Sequence, residues 1–460
     1  MSIIEVPDEF DHEADVIVVG GGTAGLPAAI VVAESGLKAT VLESMSTCGG
    51  SFNMIAGDFA IAGSEEQIGQ GIDDSPEIFC ADMIDVCGAD PQLARAYVNN
   101  QIHGYRMLKE GGIVFPAVNI LPGHSRPRGL SVRGLGPKMV KAMEKMARNR
   151  GVKILFGHRA KRLIMDGQSG DVLGLRASTD DKIKSFRARR AVILATGGFG
   201  RNREMIAEYA PEMVDAIPKM PAGHLGDGLR MGLDAGAATA DIGCAVAPSW
   251  PVCIETHSNA LLGLWFGGIM VNVDGNRFHD ESSAESFYGP MTGAGMRQPG
   301  GVYWVVFNGK IKEQVKDLER CKLYKAETID ELAKIAGLDA AGLTRTIDTY
   351  NNDIDHTGYD KVFKRKFQFG SQRALVRLDV PPFYAIKCVT SITSIKGGLR
   401  INARAQVLNN FNEIVPGLYA AGEITGGLHT KSYLLGAMSS AAFTFGIIAA
   451  GNAINEPPRQ

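Results

Sequence analysis

The chain has 460 residues, enough for two or three domains, and 45% of them are hydrophobic. Its formal net charge is −2 and it has no block of like charges, which argues against nucleic acid or an anionic membrane surface as main partner. No run of 18 apolar residues and no secretion signal is visible, so we predict no integral membrane segment. The seven cysteines lack metal-type spacing, so we expect reduced thiols, no metal site and a cytoplasmic protein.

The first predicted elements are a strand, a glycine-rich turn and a helix. The apolar strand at 16–19 leads into Gly20-x-Gly22-x-x-Gly25, and a helix of small residues follows at 26–33. Gly20 permits a tight turn, Gly22 lets the backbone approach a pyrophosphate, and Gly25 lets helix and strand pack closely. The phosphates would lie over the free N–H groups at the start of the helix. The alternative interpretation of this segment is a glycine-rich turn that binds no ligand.

The next predicted strand supports the interpretation as a nucleotide site. This strand covers 39–42 and ends at Glu43, which lies 18 residues after Gly25. An acid about 20 residues beyond the glycines is expected to bind the ribose hydroxyls of a dinucleotide. A strand, a glycine turn, a helix and an acid in this order predict a dinucleotide-binding unit.

The remaining elements alternate between strands and helices, which predicts a mainly parallel sheet. A helix is predicted at 137–150 and another at 341–350, and a loop at 122–136 is expected at the surface with Arg126 and Arg128. All three tryptophans lie between about 244 and 390, where the texture of the sequence changes. We therefore predict one discontinuous domain, 1–243 and 391–460, interrupted by a second domain at 244–390.

Five further motifs follow one another in a fixed order. They lie at 195–199 (Ala-Thr-Gly-Gly-Phe), 226–228 (Gly-Asp-Gly), 271–281 (with Arg-Phe-x-x-Glu), 396–402 (Lys-Gly-Gly-Leu-Arg-Ile-Asn) and 417–427 (with Ala-Gly-Glu). As an ordered set they resemble the FAD-dependent flavoproteins of the fumarate reductase and 3-ketosteroid dehydrogenase superfamily, closer to the ketosteroid dehydrogenase-like branch. The resemblance implies an α/β fold, with a Rossmann-like FAD-binding domain of the GR2 type and an inserted α+β capping domain.

The resemblance also assigns positions that bind FAD. These are Gly20, Gly22, Thr23, Ala24, Gly25, Glu43, Ser44, Gly49, Gly50, Ser51, Ala160, Thr196, Gly197, Gly198, Asp227, Gly422, Glu423 and Ser439. Ordinary turn chemistry is the alternative for Asp227 and Glu423. Relatives that attach FAD covalently use a histidine just before the second Gly-Gly turn. Cys48 stands near that place, so we expect non-covalent FAD.

The positions expected to bind substrate separate the branches of the superfamily. Fumarate reductases clamp a dicarboxylate with His and Arg side chains, because two anionic groups must be paired once they leave water. The corresponding residues in this sequence are Pro248, Glu285, Ser394 and Tyr433. The resemblance therefore argues against a fumarate reductase.

The ketosteroid dehydrogenase branch places a tyrosine at the position of Tyr433, where it binds the ketone oxygen together with backbone N–H donors. Such donors stabilise the enolate that forms when a proton α to a carbonyl is removed. That branch has a tyrosine base where Glu285 stands, and Tyr288 follows three residues later. The candidate catalytic residues are therefore Tyr433, Glu285, Tyr288 and Ser394. A packed tyrosine at 433 and a solvated carboxylate at 285 are the alternatives.

The sequence thus predicts an FAD-dependent oxidoreductase that acts on the CH–CH bond α,β to a ketone. It would desaturate an apolar cyclic or steroid-like ketone, or reduce the enone, with an unknown electron acceptor. The alternative is a reductase of an enoate such as an acrylate or urocanate. Urocanate reductases share a tyrosine at the position of Tyr433 but keep an arginine where Glu285 stands. A third hypothesis is a flavin-binding protein without turnover.

Overall fold

The computed structural model describes residues 6–54, 58–121, 123–130, 135–179, 182–242, 251–281, 291–368 and 373–459. The strands are β1 (His12–Val19), β2 (Ala39–Glu43), β3 (Phe59–Ala60), β4 (Val118–Asn119), β5 (Gly129–Leu130), β6 (Lys153–Phe156), β7 (Arg159–Met165), β8 (Val172–Thr179), β9 (Lys182–Leu194), β10 (Ile217–Pro218), β11 (Thr239–Ala240), β12 (Pro251–Cys253), β13 (Ile269–Val271), β14 (Val302–Asn308), β15 (Tyr324–Ala326), β16 (Phe383–Ile392), β17 (Gly398–Leu399), β18 (Gln406–Leu408) and β19 (Ile414–Ala420).

The α-helices follow the same chain order. They are α1 (Gly25–Glu34), α2 (Glu65–Gly69), α3 (Pro76–Cys87), α4 (Pro91–Glu110), α5 (Leu135–Asn149), α6 (Arg203–Tyr209), α7 (Asp227–Asp234), α8 (Leu261–Trp265), α9 (Thr292–Met296), α10 (Gly309–Gln314), α11 (Ile329–Ala336), α12 (Ala340–Thr357) and α13 (Ala437–Ala453). Short 3₁₀ helices cover Gly50–Met54, Pro211–Met213, Pro299–Gly301 and Lys316–Arg320. No helix of the described residues is long and apolar enough to cross a membrane.

The chain divides into two compact units. The first comprises residues 1–209, 220–244 and 395–460, and the second comprises 210–219 and 245–394. The division drawn from the sequence lacks the 210–219 segment in the second unit and starts the C-terminal part of the first at 391 rather than 395. As a statement about folding domains, the sequence-based division stays a prediction.

The first unit is built on a mainly parallel sheet. Among the described residues its strands run in the order β18-β19-β9-β1-β2-β6, and β7 and β8 continue from β9 as antiparallel strands. The strands from β19 to β6 are parallel to their neighbours. Val16 and Val18 of β1 and Ala191 and Val192 of β9 are fully buried, as expected for strands covered on both faces. The predicted α/β fold is confirmed.

The helices of the first unit form where apolar segments carry suitable ends. In α4, Asp90 caps the first turn by accepting hydrogen bonds from the N–H groups of Gln92 and Leu93, and Pro91 occupies the first position. Helices α1 and α13 carry almost no charge and are largely buried. Because α13 packs on both α1 and α4, it belongs to the core around the first strand.

The second unit contains a mainly antiparallel sheet. Among the described residues β16 is its central strand, and β10, β12, β14 and β15 all pair with it, while β13 pairs with β14. Only β10 runs parallel to β16. Val305, Val306 and Ile386 form part of a fully buried core. The motif Arg-Phe-x-x-Glu lies in this second unit. Its Glu281 is buried and pairs with both Arg277 and Arg365.

Candidate functional site

The glycine-rich turn between β1 and α1 has the geometry of a phosphate site. A methyl group on Gly25 would lie 1.8 Å from the carbonyl oxygen of Gly20, so only glycine allows this approach. No side chain of the described residues caps the start of α1, and its first turn holds no acidic residue. The N–H of Leu26 donates to the Gly22 carbonyl at 3.1 Å and Pro27 has no N–H, so an anion here would meet the N–H groups of the turn just before α1, where the helix dipole favours negative charge. Beside Gly22 the space is open, since a methyl there would meet its nearest neighbour at 4.0 Å.

Glu43 lies at the end of β2, next to this turn. Only 7% of the Glu43 residue is exposed. Its carboxylate accepts hydrogen bonds from the N–H groups of Gly21 and Met45 at 2.8 Å each. The Ser44 hydroxyl donates a third, at 3.3 Å. A carboxylate offers about four acceptor positions. Glu43 is therefore held by the backbone and keeps acceptor capacity for a ribose hydroxyl.

The second Gly-Gly turn is tied to the first. The N–H of Gly49 donates to the carbonyl of Gly21 at 2.8 Å, and the Asn53 amide donates to the carbonyl of Cys48 at 2.7 Å. Cys48 is buried, and burial raises the pKa of its thiol to about 12. The residue that stands where covalent relatives carry a histidine is thus a protonated thiol.

The ends of β9 and β19 bring the other predicted FAD positions of the first unit to the same edge of the sheet. The N–H of Ala195 donates to Val19 at 2.8 Å, and that of Ala421 donates to Leu194 at 3.0 Å. Ligands of open α/β sheets bind outside the carboxyl ends of the strands. Thr196 follows β9, and its hydroxyl oxygen is buried without a hydrogen-bond partner among the described residues. An unsatisfied buried hydroxyl at this edge fits a polar ligand.

Asp227, at the start of α7, uses both carboxylate oxygens for a protein partner. Arg159 of β7 donates from Nε at 2.5 Å and from Nη2 at 2.8 Å. Ala160, which follows Arg159, is buried. This bidentate pair joins α7 to β7. Because both oxygens of the Asp227 carboxylate are engaged, the pair favours a structural role for Asp227 over direct contact with the nucleotide.

His224 lies among the predicted FAD positions but was missed by the sequence prediction. It is 6% exposed, and its Nε2 is 3.4 Å from the Ser51 hydroxyl oxygen. Its Nδ1 is 3.6 Å from Oε2 of Glu423. The only signal in the sequence is that His224 lies three residues before Asp227 of the Gly-Asp-Gly motif. A histidine at that spacing does not by itself predict a contact with a ligand.

Tyr433 lies in a buried loop just before α13. Burial raises the pKa of its phenol well above its ordinary value of 10, while the backbone N–H of Gly436 acts in the opposite direction. The hydroxyl therefore stays protonated and can donate a hydrogen bond. A residue from a distant segment also holds this loop, because His124 Nε2 contacts the Leu435 carbonyl oxygen at 2.8 Å.

A small cavity of about 30 Å³ lies close to this loop in the first unit. Its lining comprises Ile395, Lys396, Gly397, Gly422, Glu423, Thr425, Gly426, Leu428, His429, Met438, Ala441, Ala442 and Phe445. Lys396 is 5% exposed and donates to the carbonyl oxygens of Thr430 and Lys431. The walls of this cavity are mostly apolar, with a few polar groups.

His429 is the second polar residue of this cavity that the sequence left without a role. Both of its ring nitrogens are buried and lack a hydrogen-bond partner among the described residues. Burial, reinforced by the charge of Lys396, lowers the pKa of His429 to about 3. The imidazole is therefore neutral near pH 7, with one nitrogen able to donate and the other able to accept.

The structure leaves the positions of two of the remaining catalytic candidates undescribed. Glu285 and Tyr288 lie outside the described residues, as does Pro248. Ser394 is buried and is the last residue of the second unit. The catalytic roles of these residues stay predictions.

The expectation that the 122–136 loop lies at the surface is correct for Arg126 and wrong for Arg128. Arg128 is fully buried and pairs with Asp74, at 2.8 Å, and with Asp82. A buried guanidinium is stable here because two carboxylates compensate its charge. Within the described part of the chain, no group of three or more His, Cys, Asp or Glu side chains could hold a metal ion.

A glycine turn that opens α1, a buried acid at the end of β2 and a buried hydroxyl without a partner among the described residues lie at one edge of a mainly parallel sheet, the arrangement typical of dinucleotide-binding α/β proteins. The FAD binding domain family matches residues 15–439, and the chain belongs to that family. The residues described above fit FAD, and the chain is an FAD-dependent oxidoreductase.

Three comparisons show the breadth of this relationship. The chain is 31% identical to the urocanate reductase of Eggerthella lenta over 478 residues, which span 98% of this chain and 76% of that protein. It resembles the open conformation of a flavocytochrome c3 fumarate reductase with a TM-score of 0.82 at 28% identity, over 97% of this chain and 78% of the other. It also resembles the 3-ketosteroid-Δ4-(5α)-dehydrogenase of Rhodococcus jostii with a TM-score of 0.80 at 25% identity, over 98% of both chains.

Proposed function

We propose that this flavoprotein acts on the CH–CH bond α,β to a ketone. In one direction it desaturates an apolar cyclic or steroid-like ketone, and in the other it reduces the corresponding enone. The observation that carries the proposal is Tyr433, a buried and protonated phenol at the position where fumarate reductases carry an arginine.

The chemistry of Tyr433 suits a ketone oxygen better than a carboxylate. A buried carboxylate requires a cation, since leaving water without a partner costs several kcal/mol. A ketone oxygen is neutral in the ground state and gains negative charge only as the α-proton leaves. A phenol O–H placed in a water-poor loop stabilises that developing charge selectively.

We place FAD along the carboxyl edge of the parallel sheet in the first unit. The turn from Gly20 to Gly25 would bind its diphosphate, Glu43 its ribose, and Glu423 its ribityl chain. When bound, FAD supplies the acceptor or donor for the hydride that moves at the β-carbon. We propose that it is held without a covalent bond, because the buried Cys48 thiol stays protonated and a thiol attaches covalently as its thiolate.

Proton transfer is proposed to fall to Glu285, with Tyr288 and Ser394 as the other candidates. A carboxyl group is one of the side chains that serve as general acid or base in such proton transfers. We further propose a cytoplasmic protein, since the six described cysteines are free. The electron acceptor remains unidentified.

The proposal is tested by flavin reduction and reoxidation with defined ketones. We expect steroid ketones or substituted cyclohexanones to bleach the oxidised flavin anaerobically, with a dye acceptor restoring the yellow form. Enzyme whose flavin has been reduced by light, without dithionite, should be reoxidised by the matching enones. If no ketone reduces the flavin and no enone reoxidises it, the proposal fails.

A second candidate function is the reduction of an enoate such as an acrylate or urocanate. It is favoured by the likeness to a urocanate reductase. Against it stands the loss of the expected arginine at 285. Reoxidation of the reduced flavin by acrylates but not by cyclic enones would establish this function instead.

A further inference from the structure

We infer that His224 is an FAD-binding residue that hydrogen-bonds the cofactor between its diphosphate and its flavin. Three positions from different segments surround this imidazole. Nε2 lies 3.4 Å from the Ser51 hydroxyl, Nδ1 lies 3.6 Å from Oε2 of Glu423, and a methyl on Gly197 would be 2.6 Å from Nε2. The three belong to the set assigned to FAD, so the inference rests on the FAD placement proposed above.

The nitrogen Nδ1 of His224 has an unmet hydrogen-bonding need. It is buried and has no partner among the described residues, because 3.6 Å to Glu423 is too long for a hydrogen bond. Leaving such a group buried and unpaired is unfavourable, because it loses its hydrogen bond to water without a replacement. Glu423 uses Oε1 to accept the N–H of Ile395 at 2.9 Å, which leaves Oε2 facing His224. A hydroxyl group, which donates and accepts, satisfies an imidazole and a carboxylate together.

The fold itself does not require the imidazole. The main chain of His224 is already held on both sides, since its N–H donates to Pro221 at 3.1 Å and its carbonyl accepts from the N–H of Arg201 at 3.1 Å. Arg201 also donates from Nε to the Met220 carbonyl at 2.6 Å. An apolar side chain of similar size would fill the same space without an unpaired nitrogen. The polar ring is therefore explained by a ligand with hydroxyl groups, and the ribityl chain of FAD is that ligand.

The test is the affinity of the apoprotein for FAD, measured by quenching of flavin fluorescence. We expect His224→Leu to raise the FAD Kd by about 10- to 100-fold, the effect of losing a hydrogen bond to a strongly polar partner. His224→Gln, which keeps an N–H donor, should recover part of that loss. His356→Leu, at an exposed position of α12, serves as the control and should leave the Kd unchanged.

Three further measurements separate the outcomes. The melting temperature of the apoprotein should be unchanged or higher in His224→Leu, and a wild-type FAD Kd in this variant would overturn the inference. In the wild-type protein labelled with ¹⁵N-histidine, FAD should shift the ring nitrogens of His224, and unshifted resonances would also overturn it. Glu43→Gln tests the FAD placement by itself. Normal FAD binding in both Glu43→Gln and His224→Leu would contradict the FAD placement itself. Weakened binding in Glu43→Gln together with a wild-type Kd in His224→Leu would contradict only the role of His224.

Discussion

At the scale of single residues, the phenol of Tyr433 is the group on which the proposed reaction depends most. Its hydroxyl is buried, and burial raises the pKa of the phenol above its ordinary value of 10, so the group stays protonated. In the proposed reaction this phenol would donate to the ketone oxygen as negative charge develops there. A tyrosine that only packs in the core would be buried in the same way, so a kinetic test must distinguish the two.

Tyr433→Phe removes that hydroxyl and little else. Because one oxyanion donor is lost, we expect kcat to fall by about 10²–10³, or about 3–4 kcal/mol of transition-state stabilisation. FAD content and melting temperature should stay near wild type. Steady-state kinetics on a ketone substrate measure the effect, and Tyr324→Phe in the second unit provides the control. Near-normal turnover in Tyr433→Phe would remove the ketone-polarising role.

The sequence predicted the local geometry around the first glycine turn but not the surroundings of two buried histidines. The tight turn at Gly20 and the place of Glu43 at the end of β2 follow from local spacing, whereas their roles toward FAD stay predictions. The surroundings of His224 and His429 were not predictable, since they arise from segments distant in the chain. Arg128 was misplaced at the surface for the same reason, because its two acidic partners lie 46 and 54 residues away.

At the scale of secondary structure, most elements follow from periodicity and end signals. The helix predicted at 137–150 is observed as Leu135–Asn149. The helix predicted at 341–350 extends to Thr357, because polar residues continue it until Gly358 ends it in the left-handed conformation. Apolar periodicity stops where the helix leaves the core, so the sequence pattern underestimated its length.

The turn between β1 and α1 gives a direct test of the nucleotide site. Gly25→Ala places a methyl 1.8 Å from the Gly20 carbonyl oxygen, which must move and open the turn. We expect the variant to lose FAD binding and to unfold at lower temperature. Gly69→Ala is the matched control, since a methyl there meets nothing within 4 Å. Normal FAD content in Gly25→Ala would contradict the assigned phosphate site.

The loop at 123–130 offers a matched pair of arginines. Arg128→Ala leaves Asp74 and Asp82 without their buried cation, so we expect a loss of about 3–5 kcal/mol in the free energy of unfolding. Arg126 is exposed, and Arg126→Ala should change it by less than about 0.5 kcal/mol. Urea denaturation of the two variants measures the difference. Equal stabilities would show that the buried pairs contribute little.

At the scale of the whole molecule, buried neutral histidines should make stability depend on pH. Burial lowers the pKa of His124 to about 4 and that of His429 to about 3, against about 6.5 in an unfolded chain. Between these values the unfolded chain binds more protons than the folded one, so stability is lost as pH falls below about 6.5. The slope from each histidine reaches about 1.4 kcal/mol per pH unit.

This pH dependence is measured by melting the protein between pH 7.5 and pH 5. His124→Asn should show a shallower loss of melting temperature than wild type over this range. An exposed histidine has no such effect, and His356→Asn should follow the wild-type curve. A wild-type slope in His124→Asn would mean that this histidine is charged in the folded protein.

The fold of the whole molecule does not determine its substrate. The same architecture is shared with a urocanate reductase, a fumarate reductase and a ketosteroid dehydrogenase, so function must be argued from the site. The FAD-binding half was predictable because its motifs are local. The proposed substrate class rests on one tyrosine, whose surroundings come from distant segments of the chain.

The central claim is that the substrate carries a ketone, and one measurement tests it most directly. Anaerobically photoreduced enzyme is mixed in a stopped-flow instrument with a cyclic enone, such as a steroid enone or 2-cyclohexenone, and separately with urocanate or another acrylate. We predict rapid return of oxidised flavin absorbance with a cyclic enone and slow or no return with the acrylates. Rapid reoxidation by an acrylate, with every cyclic enone inert, would contradict the claim.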